Sequence, residues 1–122
     1  MPIVTIEVVA DSDRDVETGL AQSLADAIGR VLTSPSGQAW VRLRSLRRSQ
    51  YAENETPVGD GEVPVFVTIL ERLPPSGTEL EAEVAALTQA IAQALNRPIA
   101  CVHIEYAPAA IGRVSFGGQL VK

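Results

Sequence analysis

Residues 24–35, Leu-Ala-Asp-Ala-Ile-Gly-Arg-Val-Leu-Thr-Ser-Pro, return as residues 87–98, Leu-Thr-Gln-Ala-Ile-Ala-Gln-Ala-Leu-Asn-Arg-Pro. Leu24, Ala27, Ile28, Leu32 and Pro35 match Leu87, Ala90, Ile91, Leu95 and Pro98, each 63 positions further on. Working outward, Val16, Leu20, Leu24, Ile28 and Val31 form one apolar stripe at three- and four-residue spacing, and Leu80, Val84, Leu87, Ile91 and Leu95 form another. That period predicts an amphipathic helix in each half. Ser12 and Asp13 mark the start of the first, and Ser76 with Glu79 three residues on forms a capping-box pattern for the second. Pro35 and Pro98 are read as the stops.

Before each helix comes a run with strand character. Pro2-Ile3-Val4-Thr5-Ile6 matches Pro64-Val65-Phe66-Val67-Thr68-Ile69 with one residue inserted. After each helix the pattern alternates. Ala39, Val41 and Leu43 oppose Trp40, Arg42 and Arg44, while Val102, Ile104 and Tyr106 oppose Cys101, His103 and Glu105. The chain thus reads as one 122-residue domain of α+β class built from two consecutive β-α-β units. The units cover about residues 1–48 and 63–112, with a connecting loop at 49–62 and a strand or hairpin at 113–122. Right-handed crossovers then give a four-stranded sheet with both helices on one face. The other face is left with apolar residues from the first and third strands beside polar ones from the second and fourth. A face of that kind predicts an oligomer.

Composition sets further bounds. Hydrophobic residues make up 46 % of the chain and aromatic ones 4 %, so a packed aliphatic core is expected. A net charge of −5 argues against nucleic acid or anionic membrane as partner. Cys101 is the single cysteine, which excludes an internal disulfide and fits the reducing cytoplasm. No apolar run approaches a membrane span, and no signal-peptide pattern opens the chain.

Pro2 directly follows Met1. With Met1 removed, its nitrogen becomes a free secondary amine, and an α-amino group ordinarily titrates at about 7.7–8.0. Apolar burial lowers that value, which would poise the amine as a general base. With Met1 retained, the amine does not exist. Many chains begin Met-Pro without using the nitrogen, so the position acquires meaning only beside the rest of the sequence.

Met1-Pro2-Ile3, the run from Ala27 through Leu32 to Pro35, and Pro98 through Val102, Gly112 and Phe116-Gly117-Gly118-Gln119-Leu120 resemble the tautomerase superfamily, in particular 4-oxalocrotonate tautomerase. The doubled length is similar to the macrophage migration inhibitory factor group and to fused-repeat tautomerases. The resemblance spans nearly the whole chain apart from residues 49–62. It implies a trimer in which three sheets enclose a barrel and each active site lies at a subunit interface. It implies Pro2 as catalytic base, and a cofactor-free keto–enol tautomerase or isomerase of small 2-oxo or enol carboxylic acids. Pro64 stands where a second terminal proline would be, but its nitrogen is an amide, so one amine-dependent site per chain is expected.

The same resemblance names candidates for substrate binding. His103 falls where the short enzymes carry arginine and the inhibitory-factor group tyrosine, reaching into a neighbouring subunit; Glu105 matches a polar position. Arg42 and Arg44 are candidates to hold a carboxylate, a task that suits the planar guanidinium. Trp40 is an acceptable alternative match to the short enzymes' arginine. Arg72 matches the first of two substrate arginines in dehalogenase and decarboxylase members, but Leu73-Pro74-Pro75 follows where the second would be. Ser12, with Arg14 nearby, and Ser34 stand where other members carry cations. Val114 and Phe116 are expected to wall the pocket. His103 and Glu105 without further ligands do not make a metal site. Bland readings stand beside these: a solvated strand histidine, and a basic strand end balanced by acids. The alternatives in function are a Pro2-dependent dehalogenase, decarboxylase or hydratase, in which the proline acts as a cation, and a non-catalytic trimeric binding protein.

Overall fold

In a computed structural model, residues 2–10, 18–59 and 63–122 are described. Strand β1 (Pro2–Ala10), helix α1 (Leu20–Val31) and strand β2 (Trp40–Arg47) form the first unit, and β3 (Val65–Glu71), α2 (Gly77–Leu95) and β4 (Val102–Tyr106) the second. The sheet order is β2-β1-β3-β4. Strands within each unit run parallel, and the units meet through the antiparallel β1–β3 pair, in which Pro2 faces Glu71 and Val8 faces Val65. The predicted double β-α-β architecture is the one the chain adopts.

Side-chain alternation settles the layers. Val4, Ile6 and Val8 of β1 and Val65, Val67 and Ile69 of β3 are buried with Leu24, Ile28, Leu87 and Ile91 of the helices. Both helices therefore lie on one face of the sheet. Each buried aliphatic side chain contributes roughly 1.5–3 kcal/mol relative to exposure, so the two stripes account for the layer packing. The uncovered face shows Ile3, Thr5 and Glu7 from β1, Trp40, Arg42 and Arg44 from β2, Phe66, Thr68 and Leu70 from β3, and His103 and Glu105 from β4. It is more polar than the sequence suggested, because Thr5, Glu7 and Thr68 join it from the two central strands.

The helix ends differ from expectation. Ser12, Asp13 and Val16 lie outside the described residues; α1 starts after Gly19, which adopts φ 92° with no side-chain cap. Ser76 does precede α2, but its side chain makes no capping bond, so the capping box is not formed. The stops are not the prolines. Thr33 and Asn96 take left-handed φ values of 51° and 54°, and the next residues close the helix end: Ser34 N–H donates to the Gly29 carbonyl and Arg97 N–H to the Ala92 carbonyl, each at 2.9 Å. These are two copies of the same Schellman-type end, with the prolines lying just beyond it.

After β4, a two-residue turn at Gly117 and Gly118, both at positive φ, joins β5 (Ser115–Phe116) to β6 (Gln119–Leu120). Positive φ at both central residues is the geometry of the tight hairpin turn, and glycine adopts it without steric cost. Among the described residues no helix is long and apolar enough to cross a membrane.

Candidate active site

At one end of the sheet, the start of β1, the end of β3, the end of α1 and the first turns of α2 surround a cavity of about 460 Å³. Pro2, Ser34, Glu71, Arg72, Glu79 and Glu83 line it, with Leu32 and the Leu73-Pro74-Pro75 turn as apolar wall. Pro2 is buried at its edge, and Glu71 is its direct neighbour across the antiparallel pair. Glu71 points to the helix side, as its alternation with Val67 and Ile69 requires, where Glu83 of α2 approaches it. The Tyr106 hydroxyl donates to Glu83 Oε2 at 2.7 Å. Burial first, then the charge of Glu83 and a hydrogen bond with it, push the Glu71 carboxyl up to about 7. Burial and the bond to Glu83 raise the Tyr106 phenol above its ordinary value as well.

This is not the apolar pocket expected around Pro2. Apolar burial alone would lower an amine there, whereas an adjacent carboxylate favours the cation. The acidity of the site rests on Glu71, Glu79 and Glu83, of which the sequence reading singled out only Glu79, and that as a helix cap. A signal was present: 63 positions earlier stand Val8 and Leu20, and Leu43 in place of Tyr106. The polar residues occupy places that the first unit fills with apolar ones.

The structure brings one predicted arginine to Pro2. Arg72 lines the same cavity, and its Nε donates to the main-chain oxygen of Lys122 at 2.8 Å. The other candidates lie elsewhere within the chain. Arg42 and Arg44 are exposed on the open sheet face, level with Thr5 and Glu7. His103 is exposed there too, its ring 5.7 Å from that of Phe66. Glu105 accepts a hydrogen bond from the Thr68 hydroxyl at 3.0 Å on the same face. Phe116 packs edge-on against Trp40, with ring centroids 5.2 Å apart, and Val114 is held between Ala110 and Val121 by backbone bonds. Neither Val114 nor Phe116 lines the Pro2 cavity of its own chain. Ser34 does line it; Ser12 and Arg14 lie outside the described residues.

A larger open groove of about 970 Å³ runs between α1 and the start of β2, past Arg30 and Trp40. Its charged groups are Asp26 and Arg30 on the exposed side of the helix. Among the described residues no cluster of His, Cys, Asp and Glu could hold a metal ion.

The second unit also has a proline near its start, but not at the equivalent place. Facing and register pair Val65, not Pro64, with Pro2, because Val65–Val8 is the counterpart of Pro2–Glu71. Pro64 is buried and its carbonyl accepts from Val9 N–H at 3.1 Å. There, Arg97 donates to the carbonyls of Val9 and Val63. Among the described residues, Pro2 lies at an open cavity, whereas Pro64 does not line it.

No protein-family model matches the chain, and no curated protein is matched either. Solved structures do match in fold. The macrophage migration inhibitory factor of Trichinella spiralis superposes with a TM-score of 0.73 at 16% identity, covering 97% of this chain and 98% of that one. A fused 4-OT that forms a symmetric trimer gives 0.72 at 16% identity, covering 98% and 94%. A malonate semialdehyde decarboxylase inhibited by 3-bromopropiolate gives 0.68 at 21% identity, covering 94% and 88%. The doubled β-α-β unit, read from the repeat and built around the Pro2–Glu71 pairing, thus has over nearly its whole length the fold of macrophage migration inhibitory factor and fused 4-OT structures.

Proposed function

We propose that this chain is a cytoplasmic, cofactor-independent keto–enol tautomerase of small 2-oxo or enol carboxylic acids, with the Pro2 nitrogen as general base. The observation that carries the reading is the cavity that brings Pro2, Arg72 and the carboxyls of Glu71, Glu79 and Glu83 to a single opening; removal of Met1 would make the Pro2 nitrogen a free amine there. Arg72 would hold the substrate carboxylate, while Pro2 takes a proton from an enol hydroxyl or from the carbon beside a carbonyl and returns it at another carbon. A homotrimer, the assembly of the fused 4-OT neighbour, would cover the open sheet face. His103, Glu105, Arg42, Arg44, Val114 and Phe116 would then serve sites shared between subunits, with His103 donating to the carbonyl oxygen.

Phenylenolpyruvate and 2-hydroxymuconate are suitable probes. P2A, or a chain carrying an uncleaved N-terminal extension, is expected to lose most ketonisation of either compound; full activity in both variants would sink the reading. Mass spectrometry of the purified chain shows directly whether Met1 has been removed. If P2A and H103A are each inactive, shared sites predict partial recovery when the two chains are mixed before trimers form.

One observation favours a second reading. Carboxylates beside Pro2 stabilise its protonated form, which suits a decarboxylase or hydratase in which prolinium acts as an acid. The pH–rate profile decides: a tautomerase loses activity as pH falls through the amine's pKa, and an acid catalyst loses it as pH rises.

A further inference from the structure

The two units of the duplication differ most beneath Pro2. Val8, Leu20 and Leu43 of the first unit occupy the places that Glu71, Glu83 and Tyr106 occupy in the second. Val8 is buried, and Leu20 and Leu43 pack against the core. The framework therefore accepts an all-apolar solution at these positions, and the fold does not call for the polar one. A half-buried carboxyl is costly unless it is paired. Here it is paired: Tyr106 donates to Glu83, and Glu83 bonds Glu71. The chain of contacts ends at the residue that faces Pro2 across the sheet.

We propose that Glu71 is the proton partner of the Pro2 amine, held in place by Glu83 and Tyr106 and exchanging one proton with the Pro2 nitrogen; this rests on the reading of Pro2 as the reacting nitrogen. In the forward step the Glu71 O–H bond breaks as a Pro2 N–H bond forms, leaving prolinium beside a carboxylate. The reverse step regenerates the free amine and the carboxylic acid. Nothing else is consumed. Glu71 touches the reacting nitrogen in this scheme, while Glu83 and Tyr106 position it.

The charged and titratable groups around the pair are few. Just after β3 comes Arg72, from α2 Glu79 and Glu83, and from β4 Tyr106; the turn after α1 contributes uncharged Leu32 and Ser34. Of these, Glu83 acts with burial to oppose the ionised form of Glu71. With the Pro2 nitrogen an amide, burial and Glu83 push the Glu71 carboxyl up to about 7; a free prolinium beside it would favour the carboxylate.

The test reads the nitrogen itself. The N-terminally processed chain, labelled with ¹⁵N at proline, is titrated by NMR as wild type, E71Q, E71D and Y106F. Removing the carboxylate withdraws support for the cation, so E71Q is expected to lower the Pro2 midpoint by about one pH unit or more. The acid limb of kcat/KM should move with it. E71D should restore part of the shift, and Y106F should give a smaller shift in the same direction. E83Q repeats the test from the second carboxyl should E71Q not fold. An E71Q chain whose Pro2 titrates at the wild-type midpoint overturns the partnership while leaving Pro2 as base. A wild-type Pro2 that does not titrate between about pH 5 and 10 overturns both, since an α-amine in either state should appear there.

Discussion

Arg97 lies 63 positions after Ser34, at the same point of the same helix ending, and the two residues treat their neighbouring sheet ends in opposite ways. Arg97 spans from α2 to the strands and donates to the carbonyls of Val9 and Val63 at 3.3 and 3.2 Å. Ser34 reaches nothing comparable and leaves the Pro2 cavity open. Duplication thus produced two potential clefts, of which one is bridged by a guanidinium. R97A is expected to destabilise the fold by about 1.5–3 kcal/mol, the usual worth of hydrogen bonds from a charged group. S34R, which brings the bridging residue to the open end beside Glu71, should suppress tautomerisation at least tenfold without lowering Tm. Wild-type turnover in S34R would show that substrate does not enter beside Ser34.

Glu71 gives the fold a pH dependence that can be read without substrate. In the N-terminally extended chain the Pro2 nitrogen is an amide, and no prolinium stands beside the carboxyl. Its value is raised from 4.5 to about 7 by burial and by Glu83. The folded state therefore binds more protons than the unfolded state between those values, and stability falls as pH rises through them. The contribution is fully present below about pH 4.5 and is lost as pH passes 7. Because the carboxyl is partly exposed, solvent screening reduces the effect to about 1–2 kcal/mol. Urea midpoints at pH 5 and pH 8 should separate for the extended wild type and converge for its E71Q variant. Parallel behaviour of the two would remove the assigned cause.

Thr33 is the strained member of a matched pair. It and Asn96 hold equivalent left-handed positions at the helix ends, but a β-branched side chain is disfavoured there and asparagine is tolerated. Thr33 is exposed, so the substitution touches only the backbone cost. T33N should raise stability by about 0.5–1 kcal/mol, and T33G by a similar amount, seen as a higher urea midpoint with an unchanged slope.

The two stripes at Leu24–Val31 and Leu80–Leu95 and the alternating strands were enough to read the architecture, because layer packing depends on periodicity that the sequence displays directly. The helix ends were not legible from the prolines. Thr33 and Asn96 end the helices through backbone angles, and Pro35 and Pro98 merely follow. Pro64 looked like the twin of Pro2 in sequence, yet the one-residue insertion turns it off the equivalent face and puts Val65 there. Glu71 and Glu83 were missed for a related reason. Each is an ordinary charged residue in its own segment, and their meeting depends on how β3 registers with β1 and where α2 crosses. Arg72, named from its resemblance to a substrate arginine after the third strand, lies at the Pro2 cavity, while His103 and Glu105 lie on a strand whose outer face a single chain leaves open.

Arg72 is the cation that shares the Pro2 cavity among the predicted binding arginines. Its Nε is engaged by the main-chain oxygen of Lys122, which fixes the guanidinium while the terminal nitrogens keep their donors. A planar fork held in this way matches a substrate carboxylate, and a lysine ammonium would not reproduce either the fork or the Nε anchor. Carboxylate binding of this kind contributes equally to substrate and transition state, so its loss should appear in KM rather than in kcat. R72A is expected to raise KM for phenylenolpyruvate tenfold or more, R72K to recover only part of that, and both to leave the acid limb of the pH profile where Pro2 and Glu71 set it. The opposite split, an unchanged KM with a large fall in kcat, would assign the carboxylate to another cation, with Arg42 and Arg44 of a neighbouring subunit the next to be replaced.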